Sequence, residues 1–207
     1  MQLRSDNFEN GQSIPAEYAF GKRANPFALS DNLSPHLAWK NAPLVTRSFV
    51  LTCIDTDVPS RGDDVNKEGH TVPADLPRVE FVHWLMANIP AECGELGAGS
   101  CSDGITPRGK RDPVGPHGSV QGVNDYTGWF SGDADMGGEY LGYDGPCPPW
   151  NDALLHHYHF KISALDVATL PLVKGFTAEQ LRAAMAGHVL AEAELIGTYS
   201  LNPAVVG

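Results

Sequence analysis

A mainly β fold is what this sequence predicts, and three observations carry the prediction. Glycine and proline are frequent, 22 and 16 residues in a chain of 207. Several segments alternate apolar and polar residues with the two-residue period of a strand. A single segment has helical spacing together with a cap. Punctuation that dense, with few long helical patterns, favours short strands joined by turns. The length suits one large domain spanning residues 1–207, and hydrophobic residues, 42% of the chain, suffice for a sizeable core.

The elements follow in chain order. Residues 1–47 read as irregular chain with short extended pieces, including NLSPHLAWKNAP with Trp39 between two prolines. The first clear strand is SFVLTCID, Ser48 to Asp55, in which Phe49, Leu51, Cys53 and Asp55 alternate with Val50, Thr52 and Ile54. It breaks at DTDVPS and is followed by a charged loop. The second strand is EFVHWLMANIP, Glu80 to Pro90, apolar on both faces and so expected to lie centrally. Its ionisable group, His83, falls between Phe81 and Leu85 on the two-residue period. Residues 91–142 form a long Gly-rich stretch, and a loop of that length inside a compact domain is often functional. A third strand follows the turn YDGPCPP. Its one face holds His156, Tyr158, Phe160, Ile162 and Ala164, and its other face holds His157, His159, Lys161 and Ser163. Thr177 and Gln180 fit a capping box that opens a helix. Leu181, Met185, His188 and Val189 continue it at helical spacing, with His188 read as a satisfied core residue. AELIGTYSL closes the pattern as a short strand.

Charge excludes one class of partner. The chain has 14 basic and 25 acidic residues, net −11, and no basic run, so a nucleic-acid backbone would be repelled. An anion site would have to be a local device working against that field. No apolar run reaches the ~18 residues of a membrane span, and the N-terminus lacks the apolar segment of a signal peptide. The four cysteines, Cys53, Cys93, Cys101 and Cys147, match no zinc spacing and read as cytoplasmic thiols, with a Cys93–Cys101 pair as the alternative.

Three strands carry polar groups on apolar faces: Asp55 at the end of one, His83 within another, His156 and Tyr158 at the start of a third. Burying any of them unpartnered costs about 1–3 kcal/mol, so the economical arrangement is that they meet. Converging strand ends would make a polar pocket at the edge of an apolar core, with the GPCPP turn as one wall. Two chemistries suit it. Asp55, Asp57, His83 and His156 could ligate a divalent metal. Alternatively the histidines and Tyr158 could donate to a small anion, with backbone amides around Gly145 completing the cradle. The anion reading requires that Asp55 be protonated, or that it hold a charged histidine facing the anion. Taken singly, DTD before a proline is also simply a turn, and GPCPP a stiff loop.

The segments DTDVPS, HWLMANIP, YDGPCPP and HHYHFKISALD, with NLSPHLAW and AGHVLAEAELIGTY, resemble the phosphatidylethanolamine-binding protein family, which includes the Raf kinase inhibitor proteins, and in particular its bacterial branch. The resemblance implies a large antiparallel Greek-key sheet, a second smaller sheet and a C-terminal helix. It also implies a pocket for phosphate, phosphoryl head groups, carboxylate and similar small anions. Carried over by motif, the ligand-binding set is Asp55, Asp57, His83, Gly145, Pro146, His156 and Tyr158. Thr56 stands where the family more often has proline, and the insertions at 61–79 and 103–142 are long for bacterial members. Trp129, Phe130, Met136 and Tyr140 in the second insertion are read as packing of that loop, with pocket cover or a subunit contact as alternatives. The expected function is a small-anion binding protein rather than an enzyme, with no cofactor. A regulatory or inhibitory role toward kinases or proteases is a further expectation of the resemblance, as is a homodimer. The alternatives are a metal-dependent hydrolase using Asp55, Asp57, His83 and His156, which no HExxH motif supports, and an interaction module whose loops bind a protein.

Overall fold

Five strands form the central sheet, and their order in space places the polar ends together. The computed structural model describes residues 1–205; positions 206 and 207 of the expected domain lie outside them. In chain order the strands are β1 (Gln2–Arg4), β2 (Gly21–Arg23), β3 (Phe27–Leu29), β4 (Leu37–Lys40), β5 (Ser48–Pro59), β6 (Arg78–Pro90), β7 (Glu95–Leu96), β8 (Val120–Gln121), β9 (His156–Leu165) and β10 (Val189–Tyr199). Two helices interrupt them, α1 (Tyr126–Trp129) and α2 (Ala178–Met185). The large sheet runs β10-β9-β5-β6-β8 with every neighbouring pair antiparallel. A small sheet, β1-β4-β7, packs on one of its faces, and α2 covers the other. The fold is therefore mainly β, as expected.

The two faces of the large sheet own separate apolar clusters. Phe49, Leu51, Cys53, Phe160, Ile162 and Ala164 bury themselves against Trp39 and Leu96 of the small sheet. Val50, Val82, Leu85 and Leu165 bury themselves against Phe176 and Leu181. Strand β9 follows its expected alternation, with His156, Tyr158 and Phe160 inside and His157, His159 and Lys161 outside. Helix α2 opens on the expected capping box, both hydrogen bonds of Thr177 and Gln180 being formed.

Four expectations need correction. Strand β5 does not break at DTDVPS; it continues to Pro59 through a bulge at Thr56 and Asp57. His83 does not share a face with Leu85. Cys53 pairs with Trp84 and Ile54 with Val82, so His83 is the extra residue of a bulge, and Leu85 joins the cluster under α2. The helix stops at Met185, and Val189 already begins β10. His188 consequently lies outside the helix, about half exposed and hydrogen-bonded to Asp166 at 2.9 Å, instead of in the core. All four cysteines are free thiols, so the Cys93–Cys101 alternative is not realised.

Phe160 is fully buried in the larger cluster, its ring 5.7 Å from that of Phe8. Phe160→Ala should cost about 3–5 kcal/mol through lost transfer energy and the cavity left behind. A lower urea midpoint with an unchanged slope is the expected result.

Candidate functional site

The C-terminal part of β5 and the first residues of β6 and β9 lie at one end of the large sheet, where Asp55 pairs with Phe81 on one side and with Tyr158 on the other. A cleft of about 290 Å3 opens there. Asp55, His83, His156 and Tyr158 all line it. Two bulges aim these groups. The bulge at His83 turns its ring to the cleft side, the usual effect of an extra residue on one strand. The bulge at Thr56 and Asp57 turns Asp57 away, although strict alternation would have kept it on the face of Asp55.

Asp55 is 1% exposed and fully engaged. Its Oδ1 accepts the Asp57 amide at 2.8 Å, and its Oδ2 accepts Nδ1–H of His156 at 2.7 Å. His156 is completely buried and donates through Nε2 to Asp152 at 3.1 Å. Asp152 in turn holds Arg78 through two bonds, 2.6 and 3.1 Å. The remaining Arg78 donors reach the carbonyls of Asp57, Pro73 and Leu76, so the guanidinium ties the loop before β6 to the sheet. Burial alone would depress the His156 pKa, but its hydrogen bonds and charge interactions with Asp152 and Asp55 push it up to about 9. Burial opposes ionisation of Asp55, yet the hydrogen bond and charge of His156 outweigh it and hold the carboxyl below its usual range.

His83 and Tyr158 are differently placed. Nδ1–H of His83 donates to the Asp144 carbonyl at 2.7 Å, which leaves Nε2 as the atom available to the cleft. Burial lowers its pKa, against the opposing influence of Asp55 and of the Asp144 hydrogen bond, so the ring is neutral near pH 7. The Tyr158 hydroxyl is buried beside Asp55, near enough for the carboxylate to act on it, but makes no hydrogen bond of normal geometry. Burial first, and the Asp55 charge second, raise its pKa well above the phenolic value, so it remains an O–H donor. The two rings meet edge to face with centroids 5.2 Å apart.

The other expected site residues stand elsewhere. The Asp57 carboxylate accepts the backbone amide and Nδ1–H of His157 on the outer face. The Gly145 amide is taken by Asn32 at 2.8 Å and so cannot complete an anion cradle. Gly145 is needed for close packing: a Cβ there would lie 2.2 Å from the Tyr18 carbonyl oxygen. The Pro146 carbonyl accepts the amides of Phe20 and Gly21, and the turn reaches the cleft through Cys147, Pro148 and Pro149. His156 cannot donate to a ligand, because both ring nitrogens are committed to carboxylates. The four-residue metal set is not assembled, and among the described residues no group of three or more His, Cys, Asp or Glu side chains is placed to hold a metal ion.

Several groups of the site were not singled out in sequence. Asp152 and Arg78 belong to it, as does Asp144, which accepts from Asn32, Lys110 and Asn124 and locks the carbonyl that holds His83. Asp144 stands inside the YDGPCPP turn, one residue before Gly145, and Asp152 lies shortly after it, four residues before His156; that nearness was their only signal. Arg78 gave none. The upper cleft is aromatic: Phe20 stacks on Tyr126 at 4.6 Å, and the Phe130 ring packs against both, its centroid 5.7 Å from that of Tyr126 and 5.9 Å from that of Phe20. Phe130, Trp129 and Met136 of the second insertion line the cleft, while Tyr140 packs behind them.

The model of the family described as phosphatidylethanolamine-binding protein matches residues 4–200. The chain belongs to the phosphatidylethanolamine-binding protein family. The UPF0098 protein of Methanothermobacter thermautotrophicus is 33% identical over 199 residues, covering 96% of this chain and 98% of that one. The UPF0098 protein YbhB of Escherichia coli is 28% identical over 200 residues, covering 97% and 100%. Among solved structures, E. coli YbcL, described as a new member of the mammalian PEBP family, superposes with a TM-score of 0.70 at 27% identity over 96% of this chain and 97% of its own. Within this family fold, Arg78, Asp152, His156 and Asp55 form an alternating chain of buried charges at the base of the cleft.

The charge chain predicts how stability depends on pH. The folded pKa of His156 lies above its unfolded value of about 6.5. Its contribution is therefore complete below that value and is lost as pH rises through about 9. Urea unfolding between pH 6 and pH 9 should show a loss on the order of 3 kcal/mol from this group. His156→Gln should lack that slope and be less stable at pH 6, since it leaves two buried carboxylates without their shared cation.

Proposed function

We propose that this chain binds a small anionic group, phosphoryl or carboxylate, carried on an apolar body, and that it acts by binding rather than by catalysis. The observation that carries the reading is the Tyr158 hydroxyl, buried without a well-formed hydrogen bond beside His83 on the floor of a largely apolar cleft. A buried hydroxyl without a partner costs about 1–3 kcal/mol, which an anion oxygen accepting from it would recover. Asp55 stands nearby, but its charge is balanced by His156.

The size and lining of the cleft support the second half of the reading. A volume of about 290 Å3 exceeds what an inorganic anion fills and lies at the lower edge of small-molecule sites. Above the polar floor the walls are Phe20, Phe81, Tyr126 and Phe130, with Phe27, Leu29 and Trp129 at the exposed rim. Arg61 stands at the mouth, its charge shared with Asp63 at 3.9 Å, and favours an anion over an ammonium only in part. A role toward kinases or proteases is no part of this proposal.

Proton uptake should accompany binding. Neutral His83 offers a lone pair at Nε2, so an oxygen placed there must bring a proton or the ring must take one up. Phosphate affinity should therefore rise as pH falls from 8 to 6, with proton uptake visible as a dependence of the calorimetric heat on buffer. Phenyl phosphate should bind more tightly than inorganic phosphate. Tyr158→Phe and His83→Ala should each weaken phenyl phosphate by about 10- to 100-fold, the worth of a hydrogen bond to a charged group. Absence of binding by the wild type, or equal binding by all three proteins, would overturn the reading.

A further inference from the structure

An anion seated against Tyr158 and His83 would lie close to the Asp55 carboxylate, in a chain whose net charge is already −11. Something must keep Asp55 from repelling it. His156 faces Asp55 with Nδ1 at 2.7 Å and Asp152 with Nε2 at 3.1 Å. A neutral imidazole has one N–H and one lone pair. Whichever tautomer it adopted, the lone pair would point at a carboxylate oxygen in a fully buried site. With both carboxyls held in the ionised form, only the doubly protonated ring satisfies both contacts. Asp152 is itself 1% exposed and is held in place by both outer nitrogens of Arg78. From Arg78 through Asp152 and His156 to Asp55 the charges alternate and sum to zero. Neither Asp152 nor Arg78 lines the cleft.

We propose that Asp152, anchored by Arg78, is a positioning residue that keeps His156 doubly protonated and thereby neutralises Asp55 beneath the anion seat. The ligand touches neither residue; both act on it through His156. The other groups facing Asp55 are His83 from β6, Tyr158 from β9 and the Asp57 amide within β5. His83 and Tyr158 are both uncharged, so the balance of charge at Asp55 rests on His156. The raised pKa of His156 agrees with this geometry, its largest favourable influence being the hydrogen bond to Asp152. The inference rests on the anion reading given above.

The test compares the full-length wild type with Asp152→Asn, using NMR titration of the His156 ring and phosphate titrations at pH 6 and pH 8. The asparagine keeps the shape and an acceptor for Nε2–H but removes the charge. In the wild type, His156 should stay protonated from pH 5 to pH 8. In Asp152→Asn it should titrate within that window. Phosphate affinity in the variant should then fall at least about fivefold relative to wild type at pH 8, and less than about twofold at pH 6, where the ring is recharged. His83 and the phosphate titrate alike in both proteins, so the ratio isolates His156. The proposal is overturned if His156 stays charged to pH 8 in the variant, or if the affinity loss is equal at both pH values, the mark of a merely structural role. Titration of wild-type His156 between pH 5 and pH 8 would overturn it too, and decides the matter if the variant does not fold. If the wild type binds no phosphate at either pH, the anion reading fails, while the His156 titrations still decide the role of Asp152.

Discussion

A single imidazolium shared by two buried carboxylates holds this site together. His156 links Asp55 at the end of β5 to Asp152 in the turn before β9, and Asp152 links both to Arg78 at the start of β6. Four charged groups removed from water would be costly in isolation, each carrying a desolvation penalty of several kcal/mol. They persist because each is bonded on both sides and the charges alternate. Arg78 donates to three carbonyls beyond its carboxylate partner, so the loop that borders the cleft is fixed by the same group that completes the charge balance.

Strand geometry then decides which side chains face the cleft. Regular pairing would leave Asp55 and Asp57 on one face and would put His83 in register with Leu85. Two bulges alter both relations. One releases Asp57 to the outer face, where it serves His157. The other turns His83 toward Tyr158. The floor that results has a neutral imidazole and a phenol without a well-formed hydrogen bond beside a neutralised carboxylate, under a wall of packed aromatic rings. Polar recognition is confined to the floor, and the apolar wall sets the shape of what may sit above it.

Much of this was legible in the sequence, and the remainder was hidden for identifiable reasons. Strand β9 could be read because its residues keep to alternate faces without a bulge, and its polar start at His156 and Tyr158 falls where the cleft opens. The capping box at Thr177 could be read because it is local. Asp57 was misplaced because a bulge leaves no trace in a periodic pattern. Gly145 and Pro146 were placed on the cradle, whereas their backbone groups serve Asn32, Phe20 and Gly21, partners more than a hundred residues away. His156 was expected to face the ligand; that both its nitrogens are consumed depends on Asp152 arriving from the turn, which periodicity does not describe. Phe130 was assigned to loop packing and does pack there, but the same ring lines the cleft.

The central claim is that the Tyr158 hydroxyl and Nε2 of His83 form the seat for an anionic group. A crystal structure of the wild-type protein grown with phenyl phosphate tests it most directly. The account predicts density for the phosphoryl group within hydrogen-bond distance of both atoms, with the aryl ring against Phe130 and Tyr126. Density for the ligand at a different place with the cleft empty, or a phosphoryl group in the cleft that contacts neither atom, would contradict it.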